Sequence, residues 1–323
     1  GHVVLKKIGN FDDKKVRKYI EDSIQKVKLN QYSNFYAVGG SFRALAKLHM
    51  HIKSEDLKII QDYKVDSAEF LHELRTRIFV NKNTVDEKFL SQLFKSRIKS
   101  IPYTFHVLEM LVQKMSIKKI FFTNTGVREG VLYDLVKDKG VDPFLSQIRK
   151  IARGTIKKRN AEKLFSWILP FNDILKMDQN LLLSACWLTN IASPLHPEHR
   201  RIFALEKILY HQFFHLDRQN RIMLALILYF RYSNNLKENF ALSYSEKISK
   251  KNLIKVKILG QLLRMAHHIT GRLNYNNLAH CKLTINSINE VNFKAKKTYL
   301  LFGQSFERGM KNISDAFESL KSN

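Results

Sequence analysis

Gly39-Gly40-Ser41, with Arg43 two residues further on, is the first group in this sequence whose residue types could do chemistry. Glycines let the main chain approach an anion, and a helix start supplies N–H donors and the positive end of a dipole. An arginine fork can grip two phosphate oxygens at once. The segment is neither a P-loop nor a dinucleotide fingerprint, and the same glycine pair also serves as a plain strand-to-helix turn. Gly126-Val127-Arg128-Glu129-Gly130 repeats the arrangement later in the chain. Taken by itself it reads as a strand–helix turn with a salt bridge.

Histidines gather at His196, His199, His211 and His215. The last two are spaced i, i+4, so a helix would put both rings on one face, a geometry open to metal. Only Glu198 and Asp217 stand near them, and ordinary packing or surface histidines are the expected reading. His267 and His268 are adjacent and point apart on a helix. Cys186, inside Leu-Leu-Leu-Ser-Ala-Cys-Trp-Leu, reads as an inert buried thiol. No Ser-His-Asp or Cys-His arrangement can be singled out. Trp167, Trp187, Phe213, Phe214 and Phe230 fall on apolar helical stripes and are assigned to the core.

The elements that must position these groups follow from periodicity. Val3 to Lys7 reads as a strand, Asp12 to Lys28 as a helix, Phe35 to Val38 as a strand and Arg43 to Met50 as a helix. Helices are expected over Asp66–Val80, Thr84–Phe94 and Pro102–Met115, then a strand over Lys119–Thr123 and a helix over Arg128–Val136. Strands alternating with helices argue an α/β part. Beyond Lys137-Asp138-Lys139-Gly140 the pattern turns helical: Phe144–Arg153, Ala161–Met177, Asn180–Ile191, Glu198–His211, Asp217–Tyr232 and Leu253–Ile269. Cys281–Asn286 is the one strand expected there, before a last helix from Lys296. The expected domains are residues 1–140 and 141–323.

The chain has 323 residues, enough for about two domains. It opens on Gly1-His2 in place of a methionine, as a trimmed tag would, so a longer protein is expected around it. Its 45% hydrophobic and 26% charged residues exclude a disordered, collagenous or mucin-like chain. The longest uncharged apolar run, Ile222–Phe230, is far short of a membrane span. Two cysteines exclude a disulfide scaffold and suit a reducing cytosol. Lys+Arg 55 against Asp+Glu 29 gives a net charge of +26, which fits a polyanionic partner and equally fits lysine and asparagine spread along the whole chain, as AT-rich coding would give. Nucleic acid, polyphosphate, phosphorylated nucleotides and acidic membranes all satisfy that charge. The basic clusters Lys157-Lys158-Arg159, Lys250-Lys251 with Lys255 and Lys257, and Lys294 with Lys296-Lys297 lack the interleaved aromatics of an RNA-recognition motif.

Three stretches resemble the exopolyphosphatase/guanosine pentaphosphate phosphatase (Ppx/GppA) family. They are Phe35-Tyr36-Ala37-Val38-Gly39-Gly40-Ser41-Phe42-Arg43-Ala44-Leu45-Ala46-Lys47-Leu48-His49-Met50, then Ile101-Pro102-Tyr103 through Ile120-Phe121-Phe122-Thr123-Asn124-Thr125-Gly126-Val127-Arg128-Glu129-Gly130-Val131-Leu132-Tyr133, then Ala185-Cys186-Trp187-Leu188-Thr189-Asn190-Ile191-Ala192 with His196-Pro197-Glu198-His199-Arg200-Arg201. The resemblance implies an actin-like fold: an α/β, ribonuclease-H-like second lobe over residues 1–140, then a mostly α-helical domain related to HD phosphohydrolases. It implies hydrolysis of terminal phosphoanhydrides of inorganic polyphosphate or pppGpp in a cytoplasmic enzyme, with Mg²⁺ held mainly by the first lobe and the substrate. Gly39, Gly40, Ser41 and Arg43 would bind phosphate. Gly126, Arg128, Glu129 and Gly130 would form the interlobe connection. A homodimer through the helical domain is also implied.

The sequence departs from the family in two places. The Asp-x-Gly-Gly-Gly-Ser loop and the catalytic Glu of the first lobe have no match here. No catalytic residue is therefore assigned in this chain. The resemblance puts the catalytic group upstream of Gly1, and the chain alone is expected to be inactive. Thr189-Asn190 stands where an active HD enzyme has His-Asp, so no metal is expected there. The alternative is a basic, non-catalytic binding module for RNA or another polyanion.

Overall fold

The structure, a computed structural model, describes residues 13–80, 100–137, 142–214, 216–285, 291–295 and 303–321. Gly1, before which the catalytic group was expected, lies outside them. So do the expected strand at Val3–Lys7, the expected helix at Thr84–Phe94 and His215. The chain divides between Leu135 and Val136 into two compact units, against a sequence expectation of 140/141.

The first unit is built on a three-stranded sheet. Helix α1 (Asp13–Gln25) precedes β1 (Asn34–Ala37), α2 (Gly40–Ile52), β2 (Tyr63–Asp66), α3 (Ser67–Arg75), α4 (Ile101–Met115), β3 (Lys119–Phe122) and α5 (Val127–Lys137). The strand order is β1-β3-β2. Strand β1 runs parallel to β3, with Ala37 opposite Phe122, and β2 runs antiparallel to β3, with Tyr63 opposite Phe122. Alternation along β3 turns Ile120 and Phe122 into the core. There they meet Leu45, Leu48, Phe70, Phe105 and Leu108 from α2, α3 and α4. The Phe70 and Phe122 rings lie 5.2 Å apart. The outer face of α4 carries Tyr103, which packs against Val16 and Ile20 of α1.

Two expectations are corrected here. The helix expected over 66–80 starts one residue later, because Asp66 ends β2 and caps α3, its carboxylate accepting the amides of Ala68 and Glu69, and the helix's last turn, Thr76–Val80, widens to a π-turn. Strand β2 itself has no counterpart in the sequence reading. Its four residues include exposed Lys64 and Asp66, and no alternation that short separates from a loop.

The second unit is helical: α6 (Pro143–Ile151), α7 (Lys158–Ile168), α8 (Asn172–Leu175), α9 (Gln179–Leu188), α10 (Pro197–Leu209), α11 (Arg218–Tyr232), α12 (Asn239–Ser245), α13 (Lys250–Thr270) and α14 (Gln304–Lys321). Asp142, Asp178, Asp217 and Ser249 cap the starts of α6, α9, α11 and α13 with side-chain oxygens. The middle of the unit is α11, buried from Arg221 through Arg231. Helix α13 meets it at Gly260, where an added Cβ would stand 2.5 Å from Phe230 Cβ and 2.7 Å from the Ile227 carbonyl. Gln261 next to it donates to the carbonyls of Phe230 and Ser233.

The sequence pattern predicts one helix over Ala161–Met177. Pro170 breaks it: proline has no N–H for the ladder, and the chain passes through a 3-10 turn (Leu169–Phe171) into the single turn of α8. Asn172 then bonds both backbone groups of Met177. Nor is Cys281–Asn286 a lone strand. β4 (Cys281–Ile285) pairs antiparallel with β5 (Val291–Ala295). The last described helix is α14, and Lys296, where the final helix was expected to start, lies outside the described residues.

Candidate functional site

Strands β1 and β3 are parallel neighbours, so the loops after them leave the same edge of the sheet. Open α/β sheets bind ligands outside the carboxyl ends of their parallel strands. The loop after β1 is Val38-Gly39, leading into α2. Gly39 has φ 114° and ψ 160°, a region that essentially only glycine enters. No side chain caps α2, and its first backbone bond runs from the Arg43 amide to the Gly39 carbonyl. The loop after β3 is Thr123–Gly126, leading into α5. Thr123 and Thr125 bond one another through their hydroxyls, and Gln61 Oε1 accepts from both the Thr123 hydroxyl and the Asn124 amide at 3.0 Å. Gln61 therefore fixes this loop from the segment before β2.

The two loops meet. A Cβ on Gly126 would stand 3.7 Å from Val38 Cγ1. The Gly126 amide donates to Glu129 Oε2 at 2.6 Å, which is the return half of a capping box. That amide, then the backbone amide of Glu129 itself and the charges of Arg128 and Arg43, hold the Glu129 carboxyl below its ordinary range. Arg43 thus lies within electrostatic reach of Glu129. The starts of α2 and α5, Arg43 and Arg128 gather at one sheet edge, an arrangement suited to an oxyanion. Helix α3 starts at the opposite edge, and Asp66 already occupies its first amides. Glu129 is a poor general base, because its oxygen is committed to an amide and its proton affinity is lowered.

In the second unit, Thr189 and Asn190 follow α9 and are buried. Asn190 Nδ2 donates to the Tyr275 hydroxyl at 3.0 Å and to the Thr155 carbonyl at 3.4 Å. Thr189 Oγ1 accepts from Arg231 Nε at 3.3 Å, and its carbonyl accepts from the Tyr232 hydroxyl at 2.9 Å. A hydroxyl, an amide and an arginine are not the donor set of a divalent cation. His196 and His199 stand 6.2 Å apart between ring centroids, while His211 packs on Phe213 at 4.7 Å. No group of three His, Cys, Asp or Glu side chains suited to a metal occurs among the described residues. Cys186 is fully buried, which pushes its thiol pKa up. Sequence reasoning assigned no role to Arg231 and His267, although an arginine closing the apolar run Ile222–Phe230 was a usable signal.

No helix among the described residues is long and apolar enough to cross a membrane. Two family models match the chain. The Ppx/GppA phosphatase family model covers residues 7–139 and the exopolyphosphatase C-terminal model covers residues 175–300. No curated protein matches it. The two matches lie in the order of the sequence motifs, with residues 140–174 between them, and together take in most of the chain, so the chain belongs to the Ppx/GppA phosphatase family.

Proposed function

We propose that this chain is part of a phosphatase that removes terminal phosphoryl groups from inorganic polyphosphate, pppGpp or both, releasing orthophosphate. The observation carrying this reading is the meeting of the Gly39–Arg43 and Gly126–Gly130 segments at the carboxyl edge of β1 and β3. In this reading the first unit is the second lobe of an actin-like, ribonuclease-H-like fold and the helical unit is HD-like. Backbone amides at the start of α2 and the Arg43 guanidinium hold phosphoryl oxygens on the substrate's distal side. Glu129 shapes the neighbouring turn and takes no proton. The charge of +26 draws a long polyanion toward the protein.

Water activation is assigned to a carboxylate outside these 323 residues, since no Asp-x-Gly-Gly-Gly-Ser loop occurs in the sequence from Gly1 onward. The Mg²⁺ of such a reaction has no fitting donor set among the described residues, so no step is routed through it. Phosphate release from long-chain polyphosphate and from pppGpp, on this chain and on one joined to a family first lobe, tests the reading. Turnover by the joined protein alone supports it. Turnover by this chain alone puts the catalytic carboxylate within it and overturns the assignment. Tight RNA binding without turnover in either form favours a binding module.

A further inference from the structure

A groove of about 730 Å³ lies in the helical unit between the end of α7, the turn into α8 and the β4–β5 hairpin. Trp167, Phe171 and Ile174 line it from the helical side. Leu278 and Leu283 line it from β4 and the 3-10 turn before that strand (Tyr275–His280). The Trp167 ring is held in place, because its Nε1 donates to the Cys281 carbonyl at 2.8 Å. Phe171 is backed by Phe317, with ring centroids 6.3 Å apart. Ile174 is 46% exposed, a large apolar side chain that α8 leaves uncovered at the groove. No Asp or Glu belongs to the lining, whereas Lys282 and Lys294 do. These two lysines stand directly opposite one another in the β4–β5 register. Like charges so placed weaken a strand pair. Neither has a carboxylate partner among the described residues.

An apolar cleft of this size with a few convergent polar groups is how small-molecule sites are built. We propose that the groove binds an acyl carboxylate, its chain along Trp167, Phe171 and Ile174 and its head group between Lys282 and Lys294. The carboxylate relieves the lysine–lysine repulsion, and the chain covers the apolar wall. A bare inorganic anion would satisfy the lysines and leave that wall in water. A flat aromatic body fits less well: the Trp167 and Phe171 rings are inclined at 56° with centroids 6.4 Å apart, so one plane cannot lie on both, while a flexible chain follows each in turn. The site lies wholly within the helical unit. It does not depend on the Gly39–Arg43 segment or on the catalytic reading above.

Titration of the 323-residue chain with sodium decanoate, below its micelle range and at constant ionic strength, tests this by calorimetry and by tryptophan fluorescence. We expect saturable binding and a fluorescence change that disappears in Trp167→Phe, which keeps Trp187 as the only tryptophan. Lys282→Gln and Lys294→Gln should each weaken binding roughly three- to tenfold, and Ile174→Glu roughly tenfold or more. 1-Decanol and orthophosphate each carry one half of the ligand's chemistry and should bind far more weakly. All three substituted side chains are exposed, so the variants should melt with the parent. Should Ile174→Glu fail to fold, the two lysine variants decide. Absence of saturable binding, affinity unchanged when both lysines are replaced, displacement of decanoate by equimolar orthophosphate, or tighter binding of 1-naphthoate than of decanoate would each overturn the proposal.

Discussion

Val38 and Gly126 face each other across two loops 88 positions apart, and a Cβ added to Gly126 would stand 3.7 Å from Val38 Cγ1. The parallel pairing of β1 with β3 brings them together, and with them the two glycine-rich segments. This convergence singles out Arg43, which stands at the start of α2 and acts on Glu129 at the start of α5.

Arg43→Ala in a turnover-competent protein should lower kcat/KM for polyphosphate roughly ten- to a hundredfold, the loss expected for charge-assisted bonds to phosphate. Arg43→Lys should recover part of it, since a lysine keeps the charge but not the fork. The side chain is half-buried at a helix start, so the melting temperature should hardly move. An unchanged kcat/KM would remove Arg43 from the site.

Two glycines should answer to alanine with opposite signs. Gly39 adopts φ 114°, and an alanine there meets no neighbour within 4 Å, so the cost is backbone strain alone, of order 1–3 kcal/mol. Gly130 lies inside α5 with open space around it, and Gly130→Ala should stabilise by about 0.5–1 kcal/mol. Urea unfolding of both variants beside the parent measures the pair.

Acid should destabilise the fold well before its carboxylates titrate. Burial lowers the pKa values of His49, His211, His267 and His268, with His267 taken to about 3. An unfolded chain takes up protons at these positions near pH 6.5, while the folded one resists. Their contribution is therefore complete above about pH 6.5 and is lost as pH falls toward the folded values. For His267 the loss between pH 7 and pH 5 is up to about 2 kcal/mol. Denaturant midpoints at pH 7, 6 and 5 in phosphate-free buffer follow it, and His267→Gln should flatten the slope. A midpoint constant across that range would contradict the buried, neutral imidazoles.

Neither thiol should react in the native state. Cys186 is fully buried, Cys281 is 3% exposed, and burial raises both thiol pKa values. A chromogenic disulfide reagent should count no thiols in the folded protein and two in denaturant. Fast labelling of the native chain would show that the unit opens around α9 or β4.

The strand–turn–helix segments at Phe35–Met50 and Lys119–Val136 are legible in the sequence, because glycine punctuates a switch from short apolar runs to helical periodicity. Their adjacency is not, since pairing register is set by packing and leaves no trace in either segment alone. β2 and β5 escape for a related reason: strands of four and five residues with lysines on them look like loops until a partner strand is beside them. Pro170 is visible, but a proline within a helical pattern does not say by itself whether the helix kinks or ends. The walls of the groove at Trp167 come from α7, α8 and the β4–β5 hairpin, so only the tertiary structure could assemble them.

Gly260 acts as a slot. With no side chain there, the backbone of α13 seats against Phe230, and Gln261 latches onto the carbonyls at the end of α11. Arg264 follows Gly260 by four residues, hence on the same stripe of the helix, and its Nη1 donates to Asn234 Oδ1. Slipping α13 by one residue would swing that stripe by about 100° and carry the side chain away from Asn234. The absence of one methyl group thus sets the angular alignment of an arginine one helical turn away.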